Sequence, residues 1–286
     1  MKKLDNLSFL IVFGLVVLNL FVWFQIIFRA ESKGTEFYFL DVGQGDGTLG
    51  VFQNGVKFLM DAGPGAQTVA SLEKVLGRNQ KYIDLAMITH PQLDHFGGFN
   101  YILEKYNVGA FVVNGREVVL PEWRELMEKI KEKEIPLMVL GVNDKIIFQN
   151  NSIDFLSPDN RQLQSAELND GSLVGLVKTP EAKMLLTGDI SFSIENYLIE
   201  KFGVEGLDAD ILKVPHHGSK YSSGEKFLDA VTPAVAVIEV GKNNYGHPTK
   251  EVLGRLESKE IKTFRTDTMG TLKIEFEGDK LQVFSL

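Results

Sequence analysis

The chain has 286 residues, and 44% of them are hydrophobic, a share that supports a packed core and excludes a disordered protein. Its 30 Lys and Arg against 38 Asp and Glu give a formal net charge of -8, which argues against a protein that grips DNA with a strongly basic surface. The sequence has no cysteine, which excludes disulfides, Cys-ligated zinc, iron–sulfur clusters and thiol nucleophiles.

The first predicted element is a transmembrane anchor over residues 7–28, which follows a short N-terminal tail at residues 1–6. The run LSFLIVFGLVVLNLFVWFQIIF carries no charge, and at 1.5 Å per residue it is about 33 Å long, enough to cross a bilayer. It exceeds the apolar region of a signal peptide, and residues 28–31 make a poor cleavage site, so we expect an uncleaved anchor. Lys2 and Lys3 favour a cytoplasmic N-terminus, with the rest of the chain outside the cytoplasm.

From Thr35 onward, short apolar runs alternate with helical patterns, and most of the predicted strands end at Gly, Asp, Asn or Pro. The predicted strands cover residues 37–42, 49–52, 57–60, 85–89, 110–113, 137–140, 153–156, 173–178, 183–187, 209–214, 234–239, 263–265, 271–276 and 281–284. The predicted helices cover residues 67–76, 99–106, 122–133, 192–202, 225–231 and 250–258. Early strands are consecutive and later ones alternate with helices, which favours packed sheets with outer helices in one domain over residues 35–286.

The segment THPQLDHFGG, residues 89–98, follows an apolar strand and carries His90, Asp94 and His95. Two imidazoles and a carboxylate so close together form a ligand set suited to Zn²⁺, and also to Mn²⁺ or Fe²⁺. An ordinary polar turn is the alternative, but it is less favoured because the whole chain has only 5 His. The segment therefore predicts a metal site.

Two further strand ends carry similar donors. Asp189 follows the predicted strand 183–187, and His216 and His217 follow the predicted strand 209–214. A Gly-Asp pair after a strand is by itself more often a turn. Because neighbours in an extended stretch point in opposite directions, we expect His216 to bind the metal and His217 to face the substrate or support a ligand. Together the strand ends predict a metal-centred site at one sheet edge.

These segments resemble the metallo-β-lactamase superfamily, and within it the lactamase-like domain of ComEC-type competence proteins. The similarity runs from about residue 37 to 284 and depends on six ordered segments: DVGQGD (41–46), LMDAG (59–63), THPQLDHFGG (89–98), LTGD (186–189), VPHHGS (214–219) and YGHP (245–248). The resemblance implies an α/β fold, the four-layer αβ/βα sandwich, and metal ligands at His90, Asp94, His95, Asp189 and His216. It also implies that Asp61 supports the His90 loop.

Two departures from the family pattern affect the first of its two metal pockets. Gln92 stands where the superfamily commonly has His and the competence branch Asp, and an amide oxygen is a poorer ligand than either. No His lies between His95 and His216, where the superfamily has an isolated one. The second pocket keeps Asp94, His95, Asp189 and His216. We therefore predict one well-held divalent ion, Zn or Mn, in the second pocket and a weak or absent ion in the first.

By resemblance the chain is a metal-dependent hydrolase, and the first expectation is a phosphodiesterase that acts on nucleic acid in competence-related DNA processing. Asp94 is expected to ligate the metal and orient the attacking water. His247 is expected to protonate the leaving group or hold an oxyanion, with a buried structural role as the alternative. Ser219, Lys220 and Asn243 are candidate phosphate contacts, and a surface role is equally open for each.

The expected partners are the membrane, single-stranded DNA and a separate membrane channel protein, because the competence branch joins this domain to a channel. We expect a single-pass membrane protein whose catalytic domain lies on the extracytoplasmic side. One alternative is a hydrolase of a small phosphodiester or ester in the cell envelope. Another is a non-catalytic metal-binding interaction module, against which the complete second pocket argues. Hydrolysis of a lactam ring is the least favoured, and the oligomeric state is left open.

Overall fold

The computed structural model describes residues 6–27, 34–278 and 280–286. Its first helix, α1, spans Asn6–Ile27, and the large apolar side chains described on it, from Phe9 to Phe24, are exposed. Within the described residues, no helix is both long and apolar enough to cross a bilayer. Membrane spanning by residues 7–28 stays a prediction. Most of the predicted tail, and the charges on either side of the apolar run, lie outside the described residues.

The strands and remaining helices of the described chain match most of the predicted elements. The strands are β1 (Glu36–Phe39), β2 (Thr48–Val51), β3 (Lys57–Met60), β4 (Tyr82–Met87), β5 (Asn107–Val113), β6 (Leu137–Val139), β7 (Lys145–Phe148), β8 (Asn151–Ser157), β9 (Val174–Lys178), β10 (Lys183–Leu186), β11 (Ile211–Lys213), β12 (Val235–Ile238), β13 (Lys262–Arg265), β14 (Leu272–Glu277) and β15 (Lys280–Ser285). The helices are α2 (Gln67–Leu76), α3 (Leu93–Phe96), α4 (Phe99–Lys105), α5 (Pro121–Glu132), α6 (Phe192–Leu207), α7 (Glu225–Val231), α8 (Lys250–Ser258) and α9 (Thr266–Met269).

The strands form two mixed sheets. One has the order β15-β14-β1-β2-β3-β4-β5-β6 and the other the order β13-β12-β11-β10-β9-β8-β7. Strands β3 to β6 run parallel in the first sheet, and strands β10 to β13 run parallel in the second. Parallel neighbours end at the same edge of a sheet. The loops after β3 and β4 therefore lie at one edge of the first sheet, and the loops after β10, β11 and β12 lie at one edge of the second.

The molecule has four layers, and a buried apolar cluster lies between each layer and the next. Between the sheets, Phe37, Phe58 and Phe155 belong to a buried cluster to which both sheets contribute. Helices α2, α4 and α5 cover the outer face of the first sheet, and helices α6, α7 and α8 cover that of the second. Burying apolar faces on both sides of each sheet is the main stabilising term of such an architecture. The predicted α/β four-layer sandwich is confirmed.

Several elements differ from the prediction for local reasons. Strand β7 is an edge strand with Ile147 exposed, so it lacks the burial pattern that reveals a strand. Helices α3 and α9 are single turns, too short to show a periodicity. Helix α6 continues past the predicted end at Phe202, with a break at Gly203, whose φ is 62°. Strand β4 stops before Thr89, whose N–H bonds to the Asp61 carboxylate instead of to a neighbouring strand.

Candidate metal centre

Loops that leave the carboxyl ends of parallel strands bring most of the predicted site residues to one place. The open cavity between them has a volume of about 380 Å³; we call it the metal cavity. It is lined by Gln44, Gln92, Leu93, Asp94, Asn169, Asp189, His216, His217, Tyr245 and His247. His90, His95 and Asp61 are buried beneath its floor.

Two imidazoles and two carboxylates meet at the floor of the cavity. The Asp189 Oδ2 atom lies 3.4 Å from His95 Nε2 and 3.4 Å from His217 Nε2. The Asp94 Oδ2 atom lies 3.5 Å from His217 Nε2. In the described chain the buried atoms His95 Nε2, His217 Nε2 and Asp189 Oδ1 have no hydrogen-bond partner. Unpartnered buried donors and acceptors are unfavourable, and this mixed nitrogen and oxygen set is one that Zn²⁺ and Mn²⁺ bind. The residues therefore fit a divalent metal.

Hydrogen bonds on the far side of each ring orient these imidazoles. Asp61 Oδ2 lies 2.8 Å from His95 Nδ1, and the same carboxylate accepts from the N–H and hydroxyl of Thr89 at 2.8 and 2.7 Å. His217 Nδ1 lies 2.8 Å from the Glu239 carbonyl oxygen. When Nδ1 donates, the lone pair of Nε2 is free to bind a metal, which is the usual arrangement of histidine ligands. Asp61 thus lies where its predicted supporting role requires.

The carboxylates give the centre a strongly negative field. Burial lowers the pKa of His95, but Asp189, Asp61 and Asp94 outweigh burial and hold that pKa well above its usual value. In the same way burial opposes, and Asp189 and Asp46 produce, a rise in the pKa of His217 to about 10. Against the effect of burial, the histidines hold the pKa of Asp189 well below its usual value. The centre therefore favours bound positive charge, and a metal would displace protons from the two histidines.

Three buried residues behind the metal centre were not predicted from the sequence: Asp46, Lys213 and Glu239. Lys213 Nζ pairs with Asp46 Oδ2, donates to the Gly188 carbonyl at 2.9 Å and lies 3.6 Å from Asp189 Oδ1. Glu239 accepts hydrogen bonds from the Gly47 N–H and the Thr48 hydroxyl, both at 2.9 Å. Burial, reinforced by the charge of Asp46, raises the pKa of Glu239 to about 8. A lysine at the end of the apolar run that precedes the paired histidines was the available signal for Lys213.

The expectation of opposite side-chain directions assumed that His216 and His217 lie in an extended stretch, and that assumption was wrong. Pro215–Gly218 is a 3₁₀ turn in which both histidines have left-handed backbones, with φ values of 52° and 51°. Such φ values are unfavourable for non-glycine residues and typically occur at functional sites. The His217 ring is buried in the centre, whereas the His216 side chain is 31% exposed and its Nε2 lies 3.9 Å from Asp189 Oδ2. The geometry favours His217 for the metal and His216 for the cavity wall.

The first pocket differs because both nitrogens of His90 have partners. His90 Nε2 lies 3.0 Å from Gln92 Oε1, and His90 Nδ1 lies 3.0 Å from the Thr89 hydroxyl and 3.4 Å from the Ser172 hydroxyl. His90 also lies within ligand distance of His95 and Asp189. Gln92, the residue that departs from the family pattern, therefore contacts the His90 nitrogen that a metal ion would otherwise bind.

The remaining predicted residues surround the cavity in different ways. His247 lines it, stacks edge-on against His216 at 5.6 Å between ring centroids, and has an Nδ1 atom without a partner in the described chain. Ser219 is buried, and its hydroxyl accepts the Tyr221 N–H at 3.4 Å. Ser219 therefore supports the loop that follows the paired histidines.

Asn243 does not offer a free group to a substrate. Its Nδ2 donates to the carbonyl oxygens of Gly241 and His247 at 2.9 and 2.8 Å. Its Oδ1 accepts the N–H groups of Tyr245 and His247, both at 3.1 Å. An asparagine side chain has two donors and two acceptor positions, so all four are used within this loop. Asn243 shapes the turn that carries Tyr245 and His247 instead of contacting a phosphate.

Known proteins resemble this chain in sequence. The family model described as the metallo-beta-lactamase superfamily matches residues 42–241. The chain is 29% identical to ComE operon protein 3 of Bacillus subtilis over 279 residues, which are 91% of this chain and 35% of that protein. It is 32% identical to competence protein ComA of Neisseria gonorrhoeae over 194 residues, 67% of this chain and 25% of that protein. The chain thus spans only about a third, or less, of the length of these relatives.

Solved structures share the fold at low sequence identity. Tm1679, described as a metal-dependent hydrolase of the beta-lactamase superfamily, is similar with a TM-score of 0.56 and 16% identity, covering 85% of this chain and 99% of that one. Igni18, a metallo hydrolase from Ignicoccus hospitalis, is similar with a TM-score of 0.55 and 14% identity, covering 85% of this chain and 100% of that one.

Proposed function

We propose, from the premise that this chain belongs to the metallo-β-lactamase superfamily, that it is a metal-dependent hydrolase that cleaves phosphodiesters in nucleic acid. The observation that carries the proposal is that His95 Nε2 and His217 Nε2, two buried atoms without a hydrogen-bond partner in the described chain, both lie 3.4 Å from Asp189 Oδ2 at the floor of an open cavity. The nucleic-acid part is supported by the names of the relatives, which include competence protein ComA and, in Haemophilus influenzae, recombination protein 2.

Asp94, His95, Asp189 and His217 are the residues that would hold the metal, Zn²⁺ or Mn²⁺. When bound, a divalent metal lowers the pKa of a water and polarises a phosphoryl oxygen. Of the two carboxylates, Asp189 is buried, while the Asp94 side chain is 33% exposed towards the cavity. Asp94 is therefore the carboxylate that orients the attacking water. His247, with its free Nδ1, is placed to protonate the leaving group or to hold a substrate oxygen.

We also propose that the uncharged N-terminal run anchors the domain to a membrane, on its extracytoplasmic side. The exposed apolar side chains of helix α1 and the competence-related names of the relatives support this assignment. Single-stranded DNA and a separate membrane channel protein are the proposed partners, and the competence-related names of the relatives support them.

The nuclease proposal predicts that the full-length protein cleaves single-stranded DNA with Mn²⁺ and that Asp94→Ala lowers the rate by more than about 100-fold. The reason is that even residues that only support a metal ligand contribute 10 to 100-fold, whereas Asp94 would both bind and orient. Asp229→Ala is a matched control, because it removes the same type of carboxylate at a position that is 66% exposed and pairs with Lys259. Equal rates for wild type and Asp94→Ala would contradict the nuclease proposal.

A second candidate function is hydrolysis of a small phosphodiester, which the modest volume of the metal cavity, about 380 Å³, favours. A chromogenic diester without bases separates the two candidates when it is tested beside the DNA. Turnover of the small diester alone would favour the second candidate. Metal binding without turnover of either substrate would favour the non-catalytic interaction module.

Replacing Gln92 by histidine is expected to raise the bound metal from about one ion per chain towards two. An imidazole at this position is a better metal ligand than an amide oxygen. The substitution also removes the amide oxygen that contacts His90 Nε2, which frees that nitrogen. Elemental analysis of full-length protein dialysed against Zn²⁺ measures the change. Gln44→His is the control, since Gln44 also lines the metal cavity but bonds to the Gly241 N–H. Two tightly held ions in the wild type would contradict the prediction.

A further inference from the structure

A second groove opens beside the metal cavity. It has a volume of about 580 Å³ and is lined by His216 and by residues 219–221, 245–247 and 249–251; we call it the outer groove. It shares His216, Tyr245 and His247 with the metal cavity, so the two spaces adjoin each other. A polymer whose cleaved bond lies at the metal centre would extend into this groove.

Two tyrosine rings stand on the rim of the outer groove in contact with water. Tyr221 is 62% exposed and Tyr245 is 76% exposed. Tyr245 lies against the His247 ring, at 5.8 Å between centroids, at the point where the groove meets the cavity. Exposed rings in a groove are the usual platforms for bases, which stack on them whatever their sequence. Bases inside a duplex are already stacked on one another, so such platforms select unpaired bases.

Both tyrosines are carried by loops whose backbones are held from below. The Tyr221 carbonyl accepts the Phe192 N–H at 2.9 Å. The buried Glu195 carboxylate accepts the N–H groups of Ser223 and Gly224, and Arg255 donates to the Ser222 carbonyl at 2.8 Å. Such loops need little further ordering when a ligand binds, which favours affinity.

The Tyr245 loop is fixed by Asn243, whose four hydrogen bonds stay within residues 241–247. Both tyrosine-bearing loops are therefore held in place before a DNA strand binds.

The groove also presents two ammonium groups without acidic partners in the described chain. Lys220 Nζ lies 5.0 Å from the centroid of the Tyr221 ring, and Lys250 also lines the groove. Neither forms an ion pair with a described residue, although Glu251 also lines the groove and offsets part of their charge. In a chain with a net charge of -8, these lysines give the groove a small local excess of positive charge beside the metal cavity. Cations beside stacking rings match the alternation of phosphate and base along a strand.

We propose that the outer groove binds the single strand that flanks the cleaved bond, with bases stacked on Tyr221 and Tyr245 and phosphates beside Lys220 and Lys250. This inference rests on the proposed function, because it names the subsite through which a nucleic-acid substrate reaches the metal centre.

Binding is measured by fluorescence anisotropy with the metal-loaded full chain and a labelled, hydrolysis-resistant phosphorothioate thymidine dodecamer. Tyr221→Ala and Tyr245→Ala are each expected to weaken binding about 10-fold, since stacking on an aromatic ring contributes about that much per base. Lys220→Ala and Lys250→Ala are each expected to reduce the slope of log affinity against log salt by about 0.7. Tyr82→Ala is the tyrosine control, at the opposite end of strand β4 and 49% exposed. Lys131→Ala, on exposed helix α5 surface, is the lysine control.

The inference is overturned if the wild type does not bind the dodecamer, if a duplex of equal length binds as tightly, or if Tyr221→Ala behaves like Tyr82→Ala. Turnover measurements separate this result from the proposed function. If the dodecamer binds and the groove variants lose it, but no diester is cleaved, the groove stands and the nuclease proposal fails. If an unmodified dodecamer is cleaved with the same kcat/KM by wild type and Tyr221→Ala, the nuclease proposal stands and the groove fails.

Discussion

Replacing His217 by alanine is expected to weaken metal binding by more than about 100-fold, whereas replacing its neighbour His216 is expected to leave metal binding nearly unchanged. His217 Nε2 lies 3.4 Å from Asp189 and 3.5 Å from Asp94, and it has no hydrogen-bond partner in the described chain. Even residues that only orient a ligand contribute 10 to 100-fold to metal affinity, so the loss of a ligand exceeds that range.

The two variants form a matched pair, because they change the same residue type at adjacent positions. Competition with a chelator of known affinity measures the metal, and circular dichroism checks that both variants fold. His216→Ala should lose turnover instead, since its ring lies in the cavity wall against His247. Loss of metal from His216→Ala with retention in His217→Ala would show that the ligand assignment made from sequence is right and that the geometric one is wrong.

The change of the assigned metal ligand from His216 to His217 illustrates why the site could be predicted only in part. Donor types at the ends of apolar strands are visible in a sequence, so the positions of His90, Asp94, His95 and Asp189 at one sheet edge follow from local patterns. The direction of a side chain depends on backbone angles that local patterns do not determine. Two consecutive left-handed residues, His216 and His217, are rare in proteins, and the alternation rule of a strand does not apply to them.

Long-range pairing explains the other omissions. Lys213 reaches Asp46, which precedes it by more than a hundred and fifty positions, and Glu239 bonds to residues 47 and 48 from the other sheet. No periodicity reports such contacts. The layers were predictable because burial leaves a pattern in every strand that packs on both faces. Edge strand β7, whose side chains are largely exposed, leaves none.

The buried charges also account for how the centre stays folded. Asp46 and Asp189 are both fully buried beside Lys213, whose pKa is raised because these carboxylates outweigh the effect of burial. Isolated buried carboxylates are strongly unfavourable, and a buried partner with good geometry offsets that penalty. Lys213 supplies this positive charge from within the chain, so it reduces the repulsion between the two carboxylates before a metal binds.

Lys213→Met is therefore expected to lower the free energy of unfolding of the metal-free protein by about 3 to 5 kcal/mol, the usual effect of breaking a buried pair. Methionine keeps the apolar stem, so the change isolates the charge. Lys183→Met is the matched control: Lys183 is 42% exposed and pairs with Asp208 at 3.0 Å, and exposed pairs contribute at most about 1 kcal/mol. Urea unfolding of full-length protein measures both, and equal losses in the two variants would contradict the assignment.

A purely structural lysine would not change the response to metal, but this one should. Lys213 Nζ lies 3.6 Å from Asp189 Oδ1, so its removal makes the field at the centre more negative and should tighten metal binding. Because a ligand stabilises the folded state by RT ln(1 + [L]/Kd), so that a lower Kd gives more stabilisation, added Zn²⁺ should stabilise Lys213→Met by more than it stabilises the wild type or Lys183→Met. Adding Asp46→Asn to Lys213→Met removes the unpaired carboxylate and should recover part of the lost stability, with an interaction energy of about 0.5 to 3 kcal/mol in the double-mutant cycle. An interaction energy near zero, together with an unchanged response to Zn²⁺, would mean that Lys213 acts independently of the metal centre.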